Sequence, residues 1–243
     1  MSFSTDGEPP PRKDAVAPEG ASPMGSDERV SKFSEDLGSP TIPVSVSHTA
    51  SASPQIFYLH LRLLTRASTY FEKALESNRF AEGQEQKVDL KEVDPDVFGF
   101  FVEWLYRDRW EHQAEPSALH ETAIPLFTRV YALGQRLLCP LMEEAAARIV
   151  YESCDALGNN ISDTVVCDLL ELSESELPSE DTLGDRILWL AVERLEKLQK
   201  FDRFNSLVLE RSNLAIGLCR RAGPRKWNRE KKVSCRFKRE SVY

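Results

Sequence analysis

Hydrophobic and polar residues follow two different periods along the chain, and the change between them predicts a mixed fold. Short runs of strand type occur at residues 42–46, 56–59 and 87–90, where apolar side chains alternate with polar ones or form a brief block. After residue 94 the apolar residues recur at the three- and four-residue spacing of amphipathic helices. The predicted fold class is α+β, with a small sheet of short strands packed against a helical cluster and followed by a helical extension.

The clearest predicted helix is also the most aromatic segment of the chain. Asp94 suits the N-cap and Pro95 the first helical position, and five of the nine residues from 98 to 106 are aromatic. A helix that is apolar nearly all round is either buried on most sides or shared with a partner. We expect some of these rings in the core, and we predict a partner surface at three others: Phe100, Trp104 and Trp110.

The pattern divides the chain into four regions. The first forty residues hold six of the fourteen prolines and few apolar residues, so ordering them would bury too little surface to offset the lost entropy. Further helical patterns lie at residues 124–137, 141–151, 163–172, 181–200 and 204–218. We therefore predict a disordered arm at 1–40, a compact domain at 41–155, a helical extension at 156–219 and a basic, disordered tail at 220–243.

Charge is distributed unevenly within the overall net charge of −8. Residues 1–219 carry 21 basic and 37 acidic side chains, whereas residues 220–243 carry 10 basic and 2 acidic ones. Dense positive charge favours binding to nucleic acid or to a nuclear import receptor, and the candidate contacts are Arg225, Lys226, Lys231 and Lys232. The alternatives are a solvated tail without a function and an incorrectly assigned coding end.

Candidate chemistry is sparse. We find no enzyme signature, no phosphate-binding glycine loop and no metal-ligand spacing, so we predict no catalytic residue, cofactor, metal or small-molecule substrate. The five cysteines form no Cys-x-x-Cys pair and are interpreted as reduced thiols. Because we also find no secretory signal and no apolar run of membrane-spanning length, we expect an intracellular protein, cytoplasmic or nuclear, without a membrane partner.

An ordered series of short motifs resembles the BTB/POZ domain family, particularly its divergent fungal-type members. No single motif is specific, but their order and spacing over roughly 100 residues are those of the family. The motifs are Phe57-Tyr58-Leu59-His60 with Leu63-Leu64, Ser68-Thr69-Tyr70-Phe71, Phe80-Ala81-Glu82, Val88-Asp89-Leu90, Asp94-Pro95-x-x-Phe98 with Trp104-Leu105-Tyr106, and Val130-Tyr131-Ala132-Leu133 with Leu137 and Leu141.

The resemblance implies a non-catalytic protein–protein interaction module and a structural role for His60. Such domains form homo- or hetero-oligomers, and some are adaptors that bring substrates to cullin-type ubiquitin ligases. The amino-terminal helix and strand that some members exchange between subunits have no counterpart in the predicted disordered arm, which argues against an obligate strand-swapped homodimer. The alternative function is a nuclear regulatory protein, in which the BTB-like domain oligomerises and the basic tail binds nucleic acid or an import receptor.

Overall fold

The computed structural model describes residues 26–49, 53–76, 80–110 and 121–222, with side chains from residue 32 onward. Its regular elements, in chain order, are α1 (Ser26–Leu37), β1 (Thr41–Ser47), β2 (Gln55–His60), α2 (Leu61–Ala67), α3 (Thr69–Ala74), α4 (Ala81–Glu85), β3 (Val88–Lys91), α5 (Pro95–Arg107), α6 (Ala123–Arg136), α7 (Pro140–Leu157), a 3-10 turn (Gly158–Asn160), α8 (Asp163–Glu176), α9 (Thr182–Glu193), α10 (Leu195–Leu198), α11 (Asp202–Glu210) and α12 (Ser212–Ala222). The predicted α+β class is confirmed. No helix in these ranges is long and apolar enough to cross a membrane.

A three-stranded sheet in the order β2-β1-β3 forms one side of the core. β1 pairs antiparallel with β2 and parallel with β3, so that Val44 lies opposite both Phe57 and Val88. Alternate side chains of β1 face inward and are buried, as expected for a strand with one face on the core. The opposite face of β2 presents Ile56 and Tyr58 to solvent.

The aromatic helix α5 lies at the centre of the domain. The side chain of Asp94 accepts a hydrogen bond from the backbone N–H of Asp96 at 2.9 Å, and Pro95 follows as the first helical residue, as predicted. The ring of Phe98 packs edge-on against Phe57 of β2, with 5.0 Å between centroids. Phe101 stacks on Phe71 of α3 at 5.9 Å. The helix therefore joins the sheet to the helices in one core.

The helices α6 and α7 form a closely packed hairpin. Gly134 of α6 approaches α7 so closely that an added Cβ atom would lie 3.2 Å from Cα of Glu143. A side chain at position 134 would require the backbone of α7 at Glu143 to shift by a few tenths of an ångström. The connection between them is short, because α6 ends at Arg136 and α7 begins at Pro140.

A buried polar link joins this hairpin to the helical extension. Asp181 is the N-cap of α9, and its Oδ1 accepts hydrogen bonds from the backbone N–H groups of Leu183 and Gly184 at 2.8 and 2.9 Å. Its Oδ2 accepts bonds from the Tyr131 hydroxyl at 2.8 Å and from Gln135 Nε2 at 2.6 Å, both on α6. One carboxylate thus starts α9 and fixes it to α6, the first helix of the hairpin.

The predicted disorder of residues 1–40 is wrong for the last part of that segment, where α1 forms. Its end is held against α2 because the buried carboxylate of Asp36 pairs with Arg66. Ser39 adds two bonds, donating its hydroxyl to the Asp36 carbonyl at 2.6 Å and accepting the N–H of Arg62 at 3.2 Å. These contacts lie far apart in sequence, so local composition does not reveal them. Residues 1–25 lie outside the described ranges.

The single helix predicted for residues 181–200 is two helices, α9 and α10, with Arg194 between them. The guanidinium of Arg194 is buried and donates to the carbonyls of Ile161 and Gly158, the latter at 3.0 Å. These hydrogen bonds hold the side chain in the interior at the residue whose backbone conformation departs from helical and ends α9. The helical pattern predicted for residues 204–218 is likewise divided, between α11 and α12.

Candidate functional site

The predicted partner surface on the aromatic helix is wrong for Trp104 and Trp110, whereas Phe100 is half-buried and its role at a partner surface stays a prediction. Trp104 is 6% exposed and Trp110 is 1% exposed, so neither side chain can meet a partner. The indole N–H of Trp110 donates to the Phe100 carbonyl at 2.7 Å, and its ring packs edge-on against Phe127 at 5.2 Å. The ring of Phe100 lies 5.7 Å from the same Phe127. Phe100 and Trp110 therefore both pack against Phe127 of α6, and Trp104 is buried in the core.

The candidate contacts of the basic tail, Arg225, Lys226, Lys231 and Lys232, lie outside the described residues. The last described residue is Ala222, at the end of α12. The binding of nucleic acid or an import receptor by the tail stays a prediction.

His60 makes a hydrogen bond that links the sheet to α5. Its Nδ1 lies 2.8 Å from the hydroxyl of Tyr106, and the backbone N–H of His60 donates to the same oxygen at 3.2 Å. The phenol therefore binds both the main chain and the side chain of the residue where β2 ends and α2 begins. This arrangement gives His60 a structural contact.

The cysteines that the structure places inside the protein are poorly reactive thiols. Cys139, Cys154 and Cys167 are buried, and burial raises the pKa of each to about 11. A thiol with such a pKa is almost entirely protonated near neutral pH and reacts slowly. Among the described residues, no three histidine, cysteine or acidic side chains are grouped to hold a metal ion.

Two leucines are exposed where α6 leads into α7: Leu138 in the connection and Leu141 in the first turn of α7, which together we call the hairpin face. Their exposed fractions are 49% and 68%. Leu138 has a φ of 51°, a left-handed conformation that costs a non-glycine residue roughly 1–2 kcal/mol. An exposed leucine recovers little of that cost, because it buries little apolar surface.

The hairpin face is held in place by the main chain around it. The Leu138 carbonyl accepts the N–H of Thr69 at 3.2 Å, and the Ser68 hydroxyl donates to the Leu137 carbonyl. On the other side, the N–H of Cys139 donates to the Gly134 carbonyl at 2.9 Å. The turn is therefore fixed to α3 and to α6. Its leucines stand on a rigid frame, which lowers the entropy cost of binding.

Charged and aromatic groups lie on the elements α3, α4 and α6. Burial and the carboxylate of Glu82 raise the pKa of Tyr70, against the opposing charge of Arg136. Arg136 itself donates to the carbonyls of Lys91 and Glu92 at 2.6 and 3.0 Å. Phe80, the N-cap of α4, is 51% exposed. Arg136 directly precedes the leucine pair of the turn, and its guanidinium links the end of α6 to the end of β3.

A cleft of about 420 Å³ opens where the sheet, α5, α6 and the end of α8 meet. Charged groups of both signs line it, including Asp94, Arg129 and Glu176. Arg129 lies 3.9 Å from Asp94, and partial burial raises the pKa of Glu176 despite the nearby Arg129. The cleft lies between the sheet and the extension, and it presents charged groups of both signs to solvent.

Two further apolar pairs are exposed. Phe33 and Leu37 lie four residues apart on α1 and are each more than one third exposed, so they share one side of that helix. Ile56 and Tyr58 lie two residues apart on β2, opposite Ser45 and Pro43 of β1. Exposed apolar surface of this kind is typical of sites where proteins bind.

Residues 49–129 match the family model of the BTB/POZ domain. The chain contains a BTB/POZ domain. The match includes β2, β3 and the aromatic helix α5, and it ends within α6. BTB/POZ domains are typically non-catalytic modules for protein–protein interaction, so protein partners are the class that this domain binds. No curated protein significantly matches the chain.

The hairpin face lies just beyond the matched part of the BTB/POZ domain. The sequence marks Leu141 through its place in the motif series, but it does not mark Leu138. Helical periodicity places a leucine on a face and does not show whether a neighbouring helix covers that face. The sequence contains one signal for an exposed leucine here, the pair Leu137-Leu138 before Cys139-Pro140. A helix rarely continues into a residue that precedes proline, so α6 must end near this pair. Adjacent side chains then point in different directions, and one of the two leucines leaves the core.

Proposed function

We propose that the BTB/POZ domain binds a protein partner at the hairpin face and acts without catalysing a reaction. The observation that carries the proposal is the exposed Leu138 in a left-handed conformation. The conformation costs stability, and the side chain gains little from burial in the free protein. Burial against a partner would recover that free energy, at roughly 25 cal/mol for each Å² of apolar surface removed from water.

A cullin is the partner class that we propose for this face, which would make the protein an adaptor of a cullin-type ubiquitin ligase. An adaptor needs a second surface for its substrate or for another subunit. The exposed Phe33 and Leu37 of α1 supply a candidate for that surface. An amino-terminal helix, α1, is present after all, so its expected absence no longer argues against oligomerisation. We propose that α1 mediates the formation of homo- or hetero-oligomers.

Affinity purification of the intact chain, with identification of the proteins that copurify, tests the adaptor role. Recovery of a cullin in amounts comparable to the bait would support it. Recovery of the protein only with itself would contradict the adaptor role and favour oligomerisation alone. A variant carrying Phe33→Ser and Leu37→Ser separates the two surfaces. Sedimentation of the purified variant should show that self-association is lost, and affinity purification should still recover the cullin.

The second candidate function is nuclear regulation through the basic tail. Residues 223–243 contain eight basic and two acidic side chains, a density that supports binding to nucleic acid or an import receptor and a nuclear location. Deletion of residues 223–243 should then abolish nuclear accumulation and retention on DNA. Unchanged location and retention after the deletion would contradict this function and favour a plain interaction module.

A further inference from the structure

A second cleft, of about 350 Å³, lies where the described chain ends. Its walls come from the end of α9, from α10 and from Ala222 itself, the last residue of α12. Val192 and Leu195 supply apolar wall, and Glu193 and Glu196 supply carboxylates. We call it the exit cleft, because the chain leaves the structure from one of its walls.

The exit cleft has carboxylates that the described protein leaves without ion-pair partners. Within the described ranges, neither Glu193 nor Glu196 forms a salt bridge, and both are exposed. The buried guanidinium of Arg194 is occupied by two carbonyls and lies 3.9 Å from Asp163. Lys197 is the remaining cation on the walls. Two carboxylates thus face one ammonium group.

The segment that follows Ala222 has the complementary charge. Residues 223–243 carry eight basic and two acidic side chains, whereas residues 156–219 carry six basic and twelve acidic ones. Arg225 and Lys226 come three and four residues after Ala222. At up to ~3.5 Å per residue, their Cα atoms lie within about 14 Å of the cleft wall. Long basic side chains can also lay their aliphatic stems on apolar surface such as Leu195.

We propose that the start of the basic tail, at Arg225 and Lys226, binds back into the exit cleft and pairs with Glu193 and Glu196. A short connection gives the tail a high effective concentration at this cleft, so ion pairs that are individually weak become significant. A tail bound there is partly neutralised, and the cleft competes with any polyanion for it. The competition rests on the second proposed function, in which the basic tail binds nucleic acid. The docking of the tail in the exit cleft does not depend on that function.

Zero-length carbodiimide cross-linking of the full-length protein tests the docking directly. At low protein concentration, the Lys226 amine should form amide bonds to Glu193 or Glu196 within one chain, and these cross-links should not form when the reaction is run in 1 M salt. Mixing isotope-labelled and unlabelled protein distinguishes bonds within a chain from bonds between chains. Replacement of Glu193 and Glu196 by Gln should eliminate the products, while the control Glu180→Gln with Glu210→Gln should leave cross-links at the cleft unchanged. Cross-links of Lys226 spread evenly over exposed carboxylates, or formed only between chains, would overturn the proposal.

A second measurement tests the competition. We expect the variant Glu193→Gln with Glu196→Gln to bind a 20-base-pair duplex of random sequence about two- to fivefold more tightly than the unmodified protein in low salt, by fluorescence anisotropy. The control pair should leave the affinity unchanged. Equal affinities in all three proteins would overturn the competition. Absence of duplex binding by any of them would overturn the tail's nucleic-acid function and leave the docking to be decided by the cross-links.

Discussion

The aromatic helix α5 and the turn between α6 and α7 differ in how strongly the sequence marks them and in what they do. The helix has five aromatic residues within nine positions, and the structure buries Phe98, Phe101 and Trp104. The turn has a plain leucine pair, of which Leu138 is exposed in a strained conformation. In this BTB/POZ domain, a high density of aromatic residues marks the core, and exposed apolar side chains mark the candidate interface.

The largest effect should come from opening the aromatic core. Phe98→Ala removes a fully buried ring that packs on Phe57 and Phe101, and we expect the free energy of unfolding to fall by about 3–5 kcal/mol in urea titrations. The matched change in the hairpin face, Leu141→Ala, should alter it by no more than about 0.5 kcal/mol. Similar losses from the two substitutions would break the contrast between core and interface.

The next effect concerns the polar link between α6 and the extension. Asp181→Ala removes the N-cap of α9 and the buried carboxylate that accepts hydrogen bonds from the Tyr131 hydroxyl and the Gln135 amide. We expect a loss of about 2–4 kcal/mol by urea unfolding. Replacement of the neighbouring exposed Glu180 by Ala serves as the control. A loss below about 1 kcal/mol for Asp181→Ala would show that the extension is held mainly by apolar packing.

A smaller effect of opposite sign is expected at the strained position of the turn. Leu138→Asn places there a residue that tolerates a positive φ, so the protein should keep its stability or gain up to about 1 kcal/mol. Thermal unfolding measures the change. A loss of more than about 1 kcal/mol would mean that Leu138 contributes to the core, and it would remove the main reason to regard it as a binding residue.

The smallest perturbation uses Cys139, which is buried directly beside the exposed Leu138. Its pKa is raised to about 11 by burial, above the usual thiol value near 8.5. Folding therefore favours the protonated thiol, and this contribution to stability is present below about pH 8.5 and is lost as the pH rises toward 11. Below pH 9, alkylation followed by mass spectrometry should modify the exposed Cys219 well before Cys139. Equally fast modification would show that the turn opens readily.

Local patterns in the sequence predicted the strands and most helices, because alternation and helical spacing depend on neighbouring residues. Asp94 with Pro95 and the alternating β1 are examples. The sequence did not predict α1, whose Asp36 pairs with Arg66 thirty positions away, nor the break at Arg194, which binds carbonyls more than thirty positions back. The candidate site was missed for the same reason. Exposure of Leu138 and burial of Trp110 depend on which elements pack together, and composition suggested the reverse.

The most direct test of the account is the affinity of the purified partner for variants of the hairpin face. We predict that Leu138→Asn combined with Leu141→Asn weakens binding more than tenfold by isothermal titration calorimetry. The control is Leu209→Asn, at a leucine that is 86% exposed on α11, which should leave the affinity unchanged. Equal affinities for the two variants, with both proteins folded, would contradict the central claim that this BTB/POZ domain binds its partner through the hairpin face.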